Sequence, residues 1–368
     1  MTAASLRFDV PAALRLCFLG SRSSLDADTH TRLQALIDDA TFDWKEVLHR
    51  ARHHAVMPLL YRTLRQLENV PPELLEALEH DYHANAHFAM LLVEEARKLF
   101  AAFAEQSVSA VPFKGIVLAQ WAYGNVTYRT AGDLDVLVAP ESYRKAEEVI
   151  RDLGYKPSAD PSGWQKRWYL AFQHEFPFVK PSEGYKIDLH TALSARRFSA
   201  QVPAHELYTR SSPLAVGRAT LPCLSPEDWL YVLTMHGAKH RWESLKWVCD
   251  VAEVFRAHHE SLPVDAILAT AEDRGAGRML RLGVLLARHL LDAPVPAPLL
   301  RAAQHDRDAV RLVGPVVREM AAEQAPWPRE SQRFAFHYHV RSTLPEKVRY
   351  LVGSAAWYAL RPLTGAQH

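Results

Sequence analysis

Cysteine is scarce: Cys17, Cys223 and Cys249 are the three in 368 residues, far apart and without a C-x-x-C pair. That excludes a disulfide framework and a cysteine-rich zinc site. No run of 18 apolar residues occurs, so no transmembrane helix is expected. The stretch from Leu16 to Gly20, bracketed by Arg15 and Arg22, is too short for the apolar segment of a signal peptide. Excess charge is nearly absent as well. Lys and Arg number 43 against 42 Asp and Glu, giving net +1, with no basic footprint of the kind that grips a long duplex. These absences point to a cytoplasmic protein with no membrane and no long nucleic acid among its partners.

What is present suits a core. Hydrophobic residues make up 48% and charged residues 23%, and the length suggests two to three domains. The first two dozen residues show no period. Helical spacing starts near Thr29 (Leu33, Leu36, Ile37), breaks at Pro71-Pro72, and then runs to Glu105, long enough that an internal break is expected. The texture changes at Ser107. Val108–Phe113 and Leu134–Val138 read as strands, with a helix from Gly115 to Trp121 between them. A helix over Glu141–Leu153 is stopped by Gly154, and Phe176–Lys180 and Tyr185–His190 read as a hairpin around Pro181-Ser182-Glu183-Gly184. After about Ala200 the chain is read as helical again, with Ser225-Pro226-Glu227-Asp228 as a strong helix start. The expected plan is an α/β (α+β) core with a mixed twisted sheet over 73–205. It lies between an N-terminal helical region, 1–72, and a C-terminal helical domain, 206–368.

The chemistry concentrates in Gly132-Asp133-Leu134-Asp135-Val136-Leu137-Val138. On a strand Asp133 and Asp135 project together while Leu134 and Val136 enter the core. Paired carboxylates repel each other and call for a cation. Asp188 lies on one strand face with Lys186 and His190, opposite Ile187 and Leu189. Three acids from neighbouring strands suit two metal ions in phosphoryl or nucleotidyl transfer. Upstream, Lys114-Gly115 stands at a strand-to-helix junction, where glycine permits close approach, free N–H groups face an anion, and the lysine adds charge. Arg129 falls on the loop entering the acid strand, placed to neutralise the acids or to touch a phosphate.

This order of Lys114-Gly115, Arg129, Gly132 to Val138, Leu153-Gly154-Tyr155 and Ile187-Asp188-Leu189-His190 resembles the nucleotidyltransferase superfamily that includes DNA polymerase beta. More narrowly it resembles a bacterial family of uncharacterised nucleotidyltransferases, from about Trp44 to His258, with echoes at Trp357–Pro362. The resemblance implies that Asp133 and Asp135 hold two Mg²⁺ ions with a nucleoside triphosphate, ATP the expected one. Asp188 is implied to ligate the catalytic metal and to activate the acceptor hydroxyl. The superfamily usually has Gly-Ser where this chain has Lys114-Gly115, so the serine contact to phosphate is absent or replaced by Lys114.

Treated as one helix from Pro226, the residues His236, His240, Glu243, Trp247 and Asp250 form a stripe flanked by Lys239 and Lys246. Leu233, Leu245, Val248, Val251 and Phe255 lie on the core side. The stripe is a candidate cleft wall, with Lys246 or Lys239 reaching the triphosphate and His236 or Asp250 orienting the acceptor. The expected activity is Mg²⁺-dependent transfer of a nucleoside monophosphate to a hydroxyl or similar group on a small molecule or peptide, releasing pyrophosphate. A nucleotide-binding regulatory protein without turnover and a toxin-like tRNA nucleotidyltransferase are the alternatives.

Overall fold

A computed structural model describes residues 9–39, 41–159, 174–195, 198, 202–322 and 330–364, with side chains of the last helix described to residue 355. The chain opens with α1 (Ala12–Gly20), α2 (Ala27–Asp39), α3 (Trp44–His53) and α4 (Met57–Leu64). Helix α1 forms where no period was legible. Leu14, Leu16, Cys17 and Phe18 are all buried, and a helix buried almost all round has little periodicity to read. Helix α5 (Pro72–Glu105) runs unbroken for 34 residues, contrary to the expected interruption. No glycine or proline follows its first position, and Leu78, Ala89, Leu92, Ala96, Leu99 and Phe103 keep one side buried throughout.

The central sheet comprises β1 (Ala110–Pro112), β2 (Leu134–Val138), β3 (Lys156–Pro157), β4 (Glu175–Val179) and β5 (Lys186–His190), in the order β1-β2-β5-β4-β3. Strands β2 and β5 pair in parallel and the other neighbours are antiparallel, so the sheet is mixed. Helix α6 (Gly115–Tyr123) follows β1 and α7 (Tyr143–Asp152) follows β2. In register, Leu134 meets Ile187 and Val136 meets Leu189, and Phe178 and Phe176 of β4 continue this apolar layer on the same face. All four aliphatic residues and both phenylalanines are buried.

Beyond α8 (Ala204–Arg210) the chain does not return directly to helices. It forms a hairpin, β6 (Ser212–Val216) with β7 (Ala219–Cys223). Pro213 and Pro222 face each other in it and disfavour a helix, while Gly217 takes the turn with φ +57°. The hairpin packs on β1, α5 and α6, against the core. Helices then follow: α9 (Pro226–Lys239), α10 (Leu245–His258), α11 (Val264–Asp273), α12 (Gly277–Leu291), α13 (Ala297–His305), α14 (Arg307–Ala321), α15 (Glu330–His339) and α16 (Leu344–Thr364). Ser225 caps α9, its Oγ accepting from the Asp228 N–H at 3.4 Å.

The stripe read as one helix therefore spans two. Arg241 and Trp242 both take positive φ, 55° and 59°, and turn the chain between α9 and α10. Trp242 folds back fully buried onto Gly237, where an added Cβ would lie 2.5 Å from the indole. Periodicity could not show this break, because neither turn residue is a usual helix stop. Among the described residues no helix is long and apolar enough to cross a membrane.

Candidate active site

The parallel pairing of β2 with β5 puts Asp135 opposite Asp188 in register, on the face away from the apolar layer. Neighbouring strands lie about 4.8 Å apart, so the two carboxylates are close neighbours. Asp133, two residues earlier, shares that face. Burial, then the Asp135 and Asp133 charges, raise Asp188 to about 7. Burial and then Asp135 raise Asp133 as well. Three acids crowded under cover do not all ionise without a cation.

One cation is built in. Lys114 Nζ lies 2.7 Å from Asp135 Oδ1. Burial pushes the Asp135 carboxyl up, but Lys114 and the hydrogen bond from His190 outweigh it and hold it well below the usual carboxylate range. Lys114 is the N-cap of α6, and Gly115 beside it has φ +63°. A side chain at Gly115 would be strained by that φ, and its Cβ would sit 3.4 Å from the Asp133 carbonyl, so glycine suits a helix that starts this close to the acid strand.

Arg129 and Asp250 are spoken for by each other. The Arg129 Nε and Nη2 donate to the two Asp250 oxygens at 2.7 and 3.0 Å, and Tyr123 Oη donates to Asp250 Oδ1 at 2.7 Å. Burial works against the Arg129 charge, and the Asp250 carboxylate more than offsets it. The Asp250 carboxylate, expected to orient an acceptor, is 2% exposed, and both of its oxygens accept from Arg129. Arg129 does not bond to the acids directly; its charge acts on Asp135 and Asp133 as part of the surrounding field.

The loop that carries Arg129 is clamped by a residue that sequence reasoning missed. Asn85 of α5 donates Nδ2 to the Thr127 and Arg129 carbonyls at 3.0 and 3.3 Å, and its Oδ1 accepts from the Ala131 N–H at 3.0 Å. One asparagine thus satisfies three backbone groups just before Asp133. A polar residue on the buried side of a long amphipathic helix was the available signal.

The two halves of the helix wall stay together despite the break. His236, His240 and Trp247 cluster with ring centroids 4.7 to 5.5 Å apart, all half-buried. Burial first, then nearby charge that includes Lys114, pushes His236 well below the usual histidine range and His240 to about 3. Burial and then Arg129 lower Lys246 to about 8, with Asp133 pulling the other way. Lys239 Nζ lies 4.0 Å from Glu175 of β4, the register neighbour of His190. His174, just before β4, has its ring 6.4 Å from that of His190.

The donor set of Asp133, Asp135 and Asp188 is all oxygen, which suits a hard divalent cation, and the Lys114 ammonium already occupies a cation's place on Asp135. The expected cage is not preformed, however. Among the described residues no three His, Cys, Asp or Glu side chains converge closely enough to hold a metal ion as they stand.

A family model described as an uncharacterised nucleotidyltransferase matches residues 40–292. The chain belongs to this family. As a nucleotidyltransferase it carries within the matched region the whole central sheet, Lys114, Arg129, the three acids and both helices of the wall. Trp357–Pro362 falls outside the match and outside the described side chains. No curated protein and no solved structure matches the chain.

Proposed function

We propose that the protein moves a nucleoside monophosphate from a nucleoside triphosphate, with ATP the donor, to a hydroxyl or similar group on a small molecule or peptide. The acceptor oxygen bonds the α-phosphorus, the α–β phosphate bridge breaks, and pyrophosphate leaves. The observation that carries this reading is the register of Asp135 opposite Asp188, with Asp133 on the same face. Mg²⁺ bound to these three acids would offset triphosphate charge and orient the reacting phosphate.

The chain's own groups divide the remaining work. Lys114 and the first N–H groups of α6 face the phosphates, and Lys246 supplies positive charge from the opposite wall. Asp188 receives the acceptor proton. His236, neutral in its buried setting, orients the acceptor. Asp250 keeps Arg129 fixed beside the acids. We read the core as polymerase-beta-like and the chain as three parts, 1–72, 73–205 and 206–368, working in the cytoplasm.

The test is incubation with each labelled nucleoside triphosphate, MgCl2 and a panel of hydroxylated small molecules and peptides, followed by intact-mass analysis and pyrophosphate detection. An adduct of one nucleoside monophosphate, dependent on Mg²⁺ and lost in Asp135→Asn, is expected. Nucleotide binding that is indifferent to divalent metal and to Asp135→Asn would overturn the reading.

A further inference from the structure

Asp135 is held by one oxygen. Its Oδ1 meets both Lys114 Nζ, at 2.7 Å, and His190 Nε2, at 3.2 Å. No hydrogen bond from a described residue reaches its Oδ2. The two holders differ in kind. Lys114 is a flexible chain at the cleft edge, whose charge also serves the phosphates. His190 is buried on β5, two residues beyond Asp188, with its ring edge-on to Phe113 at a centroid distance of 4.8 Å. Phe113 is itself buried, and its N–H bonds the Asp135 carbonyl at 3.3 Å.

The other ring nitrogen of His190 decides the direction of the bond. Nδ1 is buried without a hydrogen-bond partner among the described residues. A proton left there would be a buried donor with nowhere to go, so the ring proton belongs on Nε2 and is donated to Asp135. This is the arrangement in which an outer residue fixes the orientation of a ligating carboxylate.

We propose that His190 is a positioning residue, which pins Asp135 through Oδ1 so that Oδ2 is the oxygen kept for a divalent cation. The proposal rests on the acid cluster being the metal and nucleotide site. It differs from the role of Lys114, which acts through charge. His190 acts through a directed bond and a rigid ring.

The experiment titrates Mn²⁺ alone, without nucleotide, into wild type, Asp135→Asn, His190→Phe and His190→Gln, by electron paramagnetic resonance. His190→Phe should weaken Mn²⁺ binding by at least about tenfold, while His190→Gln, which keeps a donor, should stay within about threefold of wild type. His190→Phe binding Mn²⁺ like wild type overturns the positioning role and leaves the metal site intact. Wild type that binds no Mn²⁺, or Asp135→Asn that binds it equally well, overturns the underlying reading and this proposal with it. Nitrogen-15 spectra of the histidines in metal-free wild type give a measurement independent of variant folding. His190 should show its proton on Nε2, shifted in Asp135→Asn, and a proton on Nδ1 would overturn the assignment.

Discussion

Arg129 and Asp250 form a bidentate ion pair across 121 residues of sequence, with both side chains buried. The pair ties the loop entering β2 to α10, and so ties the acid strand to the helix wall. Removing one partner leaves an uncompensated buried charge, which costs about 3–5 kcal/mol. Asp250→Ala should therefore lower unfolding stability by that order in urea titrations. The double variant Arg129→Met with Asp250→Leu should be less damaging than the two single changes added together. Additive losses would show that the two groups do not act as a pair.

Asn85 offers a second test of how the acid loop is held. Asn85→Ala should cost about 1–3 kcal/mol, because three backbone groups lose their buried partner. Asn85→Asp should do at least as much damage. A carboxylate would face two carbonyl oxygens where the amide now donates. Thermal unfolding of both variants, beside nucleotide titrations, separates loss of fold from loss of site.

The acids themselves should divide folding from function. Asp135→Asn and Asp188→Asn keep shape while removing charge, and burial with like-charge crowding already works against the Asp188 carboxylate. Nucleotidyl transfer should fall by at least about 10² in each, the scale of losing one electrostatic group at a reacting phosphate. Asp188→Asn should unfold no more easily than wild type in the absence of divalent metal. A variant with full transfer would remove that residue from the site.

Stability should decline on acidification. Burial, followed by neighbouring positive charge, lowers His54 to about 4, His240 and His337 to about 3, and His236 well below the usual range. An unfolded histidine titrates near 6.5, so their stabilising effect is full above that value and is lost progressively as pH falls from it toward the folded values. Asp188 opposes this, since a folded value of about 7 against an unfolded one near 3.8 favours the native state as pH drops. Four histidines outweigh Asp188 together with Asp133. Urea midpoints should fall between pH 7 and 5, by ~1.4 kcal/mol per pH unit for each net proton taken up on unfolding. A flat profile would mean that these imidazoles are accessible to protons in the native state.

The acid strand was legible because alternation is strict there: Leu134 and Val136 enter the core, and Asp133 and Asp135 take the other face. The Asp188 face could be read for the same reason. Pairing was not legible. Nothing local shows that β2 lies parallel to β5, or that Arg129 would reach Asp250 rather than Asp133. His190 was visible on the right face, but its bond to Asp135 depends on register, a property of two strands. The break between α9 and α10 escaped because Arg241 and Trp242 adopt positive φ for a tertiary reason, the seating of Trp242 on Gly237. Where one element's period decides the outcome the sequence is enough, and where two elements must meet it is not.

The helix wall yields the last prediction. Lys246 belongs to α10, its N–H bonded to the His54 carbonyl at 3.2 Å, so its backbone is fixed, while Asp133 is among the charges that act on its amine. Burial and Arg129 lower that amine to about 8, so it is a cation at neutral pH and loses its charge in mildly alkaline solution. If it meets the triphosphate, nucleotide affinity in wild type should weaken as pH rises through about 8. Lys246→Arg should hold its affinity across the same range, because a guanidinium stays charged. Lys246→Ala should bind nucleotide about tenfold more weakly at pH 7, the scale of one charge-assisted hydrogen bond, and should show no step near pH 8. Its stability should change little, since a half-buried amine contributes little packing. A step that persists in Lys246→Ala would assign the titration to another group. Equal affinity in all three proteins would place the triphosphate on the core side of the cleft, with Lys114, and leave the wall to the acceptor.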